Sequence, residues 1–197
     1  LNTYTITYTT PGPCANSSTA TITITTAPVA TFSYTGTPYC QNATNPTPTF
    51  SGGGTAGVFS STAGLVFVNT TTGEVDLASS TPGTYTVTNT IVASGGCSAA
   101  MATSSITINP VQNSGFNYSS PTFCQTGTNP TPTITGVAGG TFTSSPAGLI
   151  FVSSSTGEIN LSGSSLNNYT ITYTTAGPCP SSSTATVTIS NPTSAVM

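Results

Sequence analysis

Residues 166–190 read LNNYTITYTTAGPCPSSSTATVTIS, and residues 1–25 read LNTYTITYTTPGPCANSSTATITIT. In the first stretch Tyr169, Ile171 and Tyr173 alternate with Thr170, Thr172 and Thr174, and further on Val187 and Ile189 alternate with Thr186 and Thr188. In the second, Tyr4, Ile6 and Tyr8, then Ile22 and Ile24, alternate with threonine in the same way. Successive side chains of a strand point to opposite faces, so this period of two puts an apolar face on a core and a hydroxyl face in water. A turn containing Gly-Pro-Cys separates the two runs. Each stretch is predicted to be a pair of strands joined by a hairpin.

The same alternation appears at Tyr85/Val87 and at Ile106/Ile108, and no segment carries a helical period. Moving outward, the whole chain proves repetitive. Phe32, Tyr34, Cys40, Gln41, Asn45, Pro46 and Pro48 recur 84 residues later as Phe116, Tyr118, Cys124, Gln125, Asn129, Pro130 and Pro132. AGLVFVNTTTGEVDL at 63–77 recurs as AGLIFVSSSTGEINL at 147–161. The expected organisation is the tail of one repeat at 1–27, whole repeats at 28–110 and 111–192, and the start of another at 193–197. The chain therefore reads as a segment of a longer array. A unit of about 83 residues suits a small β-sandwich of about seven strands. Tyr85 and Tyr169 open the penultimate strand, where a tyrosine corner sits in immunoglobulin-like domains.

Composition narrows the chemistry. There is no Lys, Arg or His among 197 residues, and Glu74, Asp76 and Glu158 carry the only side-chain charges. The usual proton shuttles, Schiff-base amines and imidazole ligands are missing, so no catalytic residue is assigned. No phosphate clamp exists for nucleic acid. Threonine, which suits pleated strands, occurs 45 times. No run of 18 apolar residues is present, so no membrane span is expected in this segment. Trypsin has no site, and stability should depend little on salt.

Three features carry a chemical reading. Glu74 and Asp76, two residues apart, share a strand face and could form a carboxylate pair or half a cation site. Asn160 replaces Asp76 in the second copy, which favours a solvated turn instead and leaves no cofactor or metal site predicted. Rows of Thr-x-Thr could order water or match an ice lattice, although sandwich strands twist. Five cysteines point to an oxidising, extracellular setting. Each repeat has two, so the expected bonds are Cys40–Cys97 and Cys124–Cys179, with Cys14 left unpaired by truncation. A loop of that length would stabilise a unit by roughly 4 kcal/mol. The rival pairing, Cys14–Cys40 and Cys97–Cys124, would staple neighbouring repeats.

The pattern A-G-L-x-F…T-G-E-[VI]-x-L followed by G-T-Y-T-V-T resembles bacterial Ig-like and cadherin-like repeats of large surface proteins. With Phe-x-Tyr, Cys-Gln, Asn-Pro-Thr-Pro and a second Cys, it resembles the Ig-like or PKD-like repeats of Bacteroidota cell-surface adhesins. That resemblance implies an all-β array of tandem immunoglobulin-like antiparallel sandwiches, exported by the type IX system and in some cases serving gliding motility. It also implies a stalk or filament role, on the cell surface or outside the cell. The junction carboxylates that bind calcium in cadherin-type arrays are absent here. The alternative is an adhesive module that takes glycan or ice on its Thr-rich strand faces. Expected partners are neighbouring repeats, other copies in fibres, and a surface or glycan ligand. An uncharged sheet has few means of guarding its edges, leaving Pro-rich segments or pairing with neighbours.

Overall fold

The computed structural model describes residues 2–191. The chain divides into two units, Leu1–Ile108 and Asn109–Met197. The expected start of a further repeat at 193–197 lies outside the described residues.

The first unit opens with a hairpin, β1 (Thr3–Thr9) and β2 (Ser17–Thr23). It continues through β3 (Phe32–Ser33), β4 (Tyr39–Cys40), β5 (Thr49–Phe50), β6 (Val58–Ser61), β7 (Phe67–Asn69), β8 (Glu74–Val75), β9 (Gly83–Ile91) and β10 (Ala100–Asn109). The second repeats the pattern: β11 (Phe116–Asn117), β12 (Thr122–Cys124), β13 (Thr133–Ile134), β14 (Thr141–Ser145), β15 (Phe151–Ser153), β16 (Glu158–Ile159), β17 (Asn167–Thr174) and β18 (Ser182–Ser190). In each repeat the long last two strands are the centre of a four-stranded sheet, ordered β4-β10-β9-β6 and β12-β18-β17-β14. Short pairs, β3–β5 with β7–β8 and β11–β13 with β15–β16, make the opposing layer. Eight strands appear per repeat instead of about seven, because strands of two residues show no period in sequence. The sandwich is also not wholly antiparallel. Phe123 pairs with Ile189 in parallel register, setting β12 along β18.

Alternation identifies the core in β9, β10, β17 and β18, but not in the hairpin at 1–25, where Tyr4, Ile6, Tyr8, Ile22 and Ile24 are exposed and no core covers them. Tyr169, Ile171, Tyr173, Val187 and Ile189 are buried with Tyr118, Phe142, Leu149, Ile159 and Leu161. The first unit assembles Tyr85, Val87, Ile106 and Ile108 with Phe32, Tyr34, Phe59, Val75 and Leu77. Aromatic edges meet faces in both: Phe32 and Phe59 at 5.2 Å and 90°, Phe116 and Phe142 at 5.3 Å and 84°. Such pairs add stability beyond area burial.

The recurring polar residues are consumed by the fold. Asn45 Oδ1 accepts from the Leu77 amide at 3.0 Å, and the Pro46 carbonyl accepts from the Val75 amide at 3.1 Å. Asn129 and Pro130 do the same for Leu161 and Ile159, both at 3.0 Å. The Asn-Pro segment thus acts as a partner along β8 and β16 and covers an edge that would otherwise be open. Gln41 and Gln125 donate from Nε2 to the carbonyls of Ser80 and Ser164, at 3.0 and 2.7 Å. Ser80 and Ser164 are themselves buried and accept from the amides of Val66 and Ile150, each at 2.9 Å. The Thr-Gly-Glu turn is fixed by its glycine. Gly73 and Gly157 have φ of 74° and 70°, a region hostile to a Cβ. The hydroxyls of Tyr34 and Tyr118 donate to their carbonyls at 2.5 Å.

The tyrosine corner is present in both repeats. Tyr85 donates to the Thr81 carbonyl at 2.5 Å and Tyr169 to the Ser165 carbonyl at 2.8 Å. One recurring position changes chemistry while keeping its task. Asn89 receives the Gly57 amide at 2.8 Å and donates to the Ala30 and Thr55 carbonyls, each at 2.9 Å. Its counterpart Tyr173 receives the Gly140 amide at 3.0 Å and donates to the Val137 carbonyl at 2.7 Å.

Candidate functional site

The strongest candidate is the outer face of each four-stranded sheet. Because Phe142, Tyr169, Ile171, Tyr173, Val187 and Ile189 turn inward, their neighbours must turn outward. Thr143 pairs with Thr172, and Thr172 with Thr184; Ser145 pairs with Thr170, and Thr170 with Thr186. Thr122 extends the array beside Thr188. Hydroxyl-bearing positions therefore stand about 4.8 Å apart between strands and about 6.7 Å apart along them. The first unit has a weaker version: Ser60, Thr88 and Thr103 align, but Val58 and Met101 flank Thr90 in the next row. Several hydroxyls spend themselves on one another, as in Thr84–Thr107 at 2.9 Å and Thr174–Ser182 at 2.8 Å.

This face can donate and accept neutral hydrogen bonds. Its hydroxyls carry no charge at neutral pH. Twist also limits what it fits. Neighbouring strands rotate by about 20–25°, so four strands turn through roughly 60–75° and depart from a flat lattice. Nor is there an aromatic platform for sugar rings on the repeats. Among the described residues the exposed aromatic side chains are Tyr4 and Tyr8, both on the β1–β2 hairpin.

The carboxylates serve turns. Asp76 accepts from the Ser79 hydroxyl at 2.8 Å and the Ser79 amide at 3.1 Å. These bonds, the hydroxyl first, hold its carboxyl below the usual carboxylate range. Asn160 accepts from the Ser162 hydroxyl and the Gly163 amide, both at 3.1 Å, so the amide replaces the acid without loss of the turn. Glu74 lies in β8 and Glu158 in β16, both half-buried. Among the described residues no cluster of three His, Cys, Asp or Glu side chains is placed to hold a metal.

The cysteines depart from expectation. Cys124 stands opposite Ser190 at the far end of β18, whereas Cys179 lies in the turn before Ser182, where β18 begins. Nine residues of strand separate the two ends by about 25 Å, and a disulfide needs Cα atoms within about 7 Å. Cys97 lies likewise in the β9–β10 turn. Its sulfur is 3.2 Å from Thr25 Oγ1 and donates to the Thr26 carbonyl at 3.4 Å. Cys14, Cys97 and Cys124 are free thiols, while Cys40 and Cys179 are disulfide-bonded. Neither Cys40–Cys97 nor Cys124–Cys179 is formed in this structure, and neither is the Cys14–Cys40 and Cys97–Cys124 alternative. Counting two cysteines per repeat gave no information on which end of the sandwich each occupies.

No protein-family model matches the chain, and no curated protein sequence matches it. Solved structures that resemble it include Drosophila N-cadherin EC1-4, at 12% identity and a TM-score of 0.39, over 85% of this chain and 48% of that one. Mouse cadherin-23 EC22-24 is similar at 13% identity and a TM-score of 0.33, over 96% of this chain and 74% of that one. A SusE-like surface located polysaccharide binding protein from the Bacteroides thetaiotaomicron heparin utilisation locus is similar at 15% identity and a TM-score of 0.35, over 82% and 34%. The chain spans about half the length of the N-cadherin fragment.

Proposed function

We propose that this chain is a spacer, a stalk or filament segment of a secreted bacterial surface protein, in which tandem sandwiches carry an adhesive part away from the cell. One observation carries the reading. The side chains of the recurring Asn45/Asn129, Gln41/Gln125, Tyr34/Tyr118 and Tyr85/Tyr169 spend hydrogen bonds on the backbone of their own repeat. Repetition of this kind preserves a body, not a binding site. The extracellular placement is supported by the disulfide-bonded state of Cys40 and Cys179.

The competing reading assigns glycan or ice binding to the threonine face of β14, β17, β18 and β12. It draws support from the hydroxyl rows and is weakened by twist and by the lack of exposed aromatics on the repeats. The test is to put the purified chain on a glycan array and in an ice-recrystallisation assay, with a Thr172→Lys/Thr184→Lys variant as control. The spacer reading expects no signal above background for either protein. Binding by the parent that the double lysine variant loses would replace the spacer with an adhesive face. A deletion of 111–192 in the intact surface protein should shorten its reach while leaving adhesion in place.

A further inference from the structure

A pair of exposed apolar side chains recurs on the outer side of β7 and β15, in the layer opposite the threonine sheet. In each strand a phenylalanine, Phe67 or Phe151, turns inward and packs on the core. Its neighbours must turn outward. Val66 and Val68 are 40% and 52% exposed, and Ile150 and Val152 are 46% and 56% exposed. Strand preference alone does not explain them, because threonine meets that preference on the outward face of β14, β17 and β18. Nor are they a stray substitution. Val58 and Met101 flank Thr90 in the first repeat, but Thr141 and Ser182 flank Thr174 in the second, so that apolar patch does not recur. The pairs Val66/Ile150 and Val68/Val152 do recur. Residues 28–110 have chain on both sides, and the strip there stays open.

The three acidic side chains of the chain border the same strips. The Asp76 amide donates to the Val66 carbonyl at 2.9 Å, and Glu74 pairs with Asn69, next to Val68. In the second repeat the Asn160 amide donates to the Ile150 carbonyl at 2.8 Å, and Glu158 pairs with Ser153, next to Val152. The sequence has no Lys, Arg or His, so neither its own side chains nor those of a second copy can offset this charge. Two copies meeting strip to strip would bring carboxylates together with no cation between them. Charge complementarity therefore selects a different polypeptide. We infer that each strip docks a separate protein that presents lysine or arginine beside apolar side chains. The apolar pair supplies the buried centre of the contact, and the glutamate at its border orients the basic residue. Each site is small, so one repeat holds its partner weakly and tandem repetition raises the overall hold. The inference does not rest on the spacer reading, since it concerns residues that recur outside the core and not those that bond within it.

The experiment titrates the full, isotope-labelled chain with a capped peptide, Lys-Val-Lys-Val-Lys-Val-Lys, and follows amide chemical shifts by NMR. The expected shifts fall at Val66, Val68 and Glu74 and at Ile150, Val152 and Glu158. The same peptide with serine in place of valine should bind at least about tenfold more weakly, and one with glutamate in place of lysine should not bind. In the chain, Val66→Thr combined with Val68→Thr should remove the response of the first repeat and leave that of the second. Threonine keeps the strand preference, and the unchanged spectrum of the rest of the repeat checks that it remains folded. Glu158→Gln should weaken binding at the second repeat and flatten its salt dependence there. Absence of shifts at both strips, or shifts confined to the threonine sheet, would overturn the inference. Equal binding by the serine peptide would reduce the effect to charge alone and overturn it as well. A concentration-dependent dimer of the chain alone, abolished by the valine substitutions, would give the strip to a second copy and also overturn it.

Discussion

Replacing Gly157 by Ala should destabilise the second unit far more than replacing Gly139, although both glycines have positive φ, 70° and 87°. Any L residue in that backbone region is strained by about 1–2 kcal/mol. The gain from restricting the unfolded chain is also shared by both. They differ in space. A Cβ on Gly157 would lie 2.8 Å from Phe142 Cδ2 and Cε2 and from Pro132 Cγ, while one on Gly139 meets nothing within 4 Å. Phe142 is buried in a packed aromatic cluster, so its ring cannot retreat freely. Overpacking of this kind adds about 1–3 kcal/mol. The expected losses are about 2–5 kcal/mol for Gly157→Ala and about 1–2 kcal/mol for Gly139→Ala. Urea titration followed by tyrosine fluorescence reads both, and Gly73→Ala against Gly53→Ala repeats the comparison in the first unit. Equal midpoint shifts for the crowded and the open glycine would refute the idea that the Thr-Gly-Glu turn is chosen for its packing on Phe142.

Tyr118→Phe leaves the Gly157 carbonyl without its partner and should cost about 1–3 kcal/mol, checked by the same titration. Stability should be flat between about pH 5 and 8, since no His, Lys or Arg titrates. Burial raises the Tyr34 and Tyr118 phenols, the first helped by Tyr39, so the folded state favours their neutral forms. Their contribution is complete below the ordinary phenol value near about 10 and is lost above it, as the unfolded chain ionises first. At the acid end, Asp76 is held low, so its contribution exists above about pH 4 and fades below; Asp76→Asn should remove that fading without unfolding the turn. In denaturant without reductant, iodoacetamide should label Cys14, Cys97 and Cys124 but not Cys40 or Cys179. Cleavage after Glu74 and Glu158 should then release the 75–158 piece free, and its retention by disulfides would contradict the structure.

Much of the fold was legible because long strands announce themselves. Strands of eight to ten residues fix a face, and the faces of β9, β10, β17 and β18 are as the period of two requires. The tyrosine corner was readable for the same reason, as a Tyr at the start of such a strand. Short elements were not. β8 and β16 are two residues long, and beside β7 and β15 they meet an Asn side chain and a Pro carbonyl, which no strand pattern encodes. Asn-Pro-Thr-Pro looked like an edge guard, and it does cover an edge, but from inside the repeat. Cys14 is free and Cys40 and Cys179 are bonded as expected, but the free state of Cys97 and Cys124 was not legible, because cysteine placement depends on which end of the sandwich a turn occupies. The parallel pairing of β12 with β18 was hidden in the same way, since register across a sandwich is a tertiary property. The threonine face was visible as Thr-x-Thr rows, but its extent over four strands required the sheet order.

Amide hydrogen exchange at Leu77, Val75, Leu161 and Ile159 bears most directly on whether the recurring residues build the body. The structure places these four amides on Asn45 Oδ1, the Pro46 carbonyl, Asn129 Oδ1 and the Pro130 carbonyl. The account predicts protection at the level of global unfolding in both repeats, with Asn129→Ala lowering it at Leu161 and leaving Leu77 unchanged. Rapid exchange at all four in the parent chain would mean that Asn-Pro-Thr-Pro is an open loop, free to meet a ligand, and would contradict it.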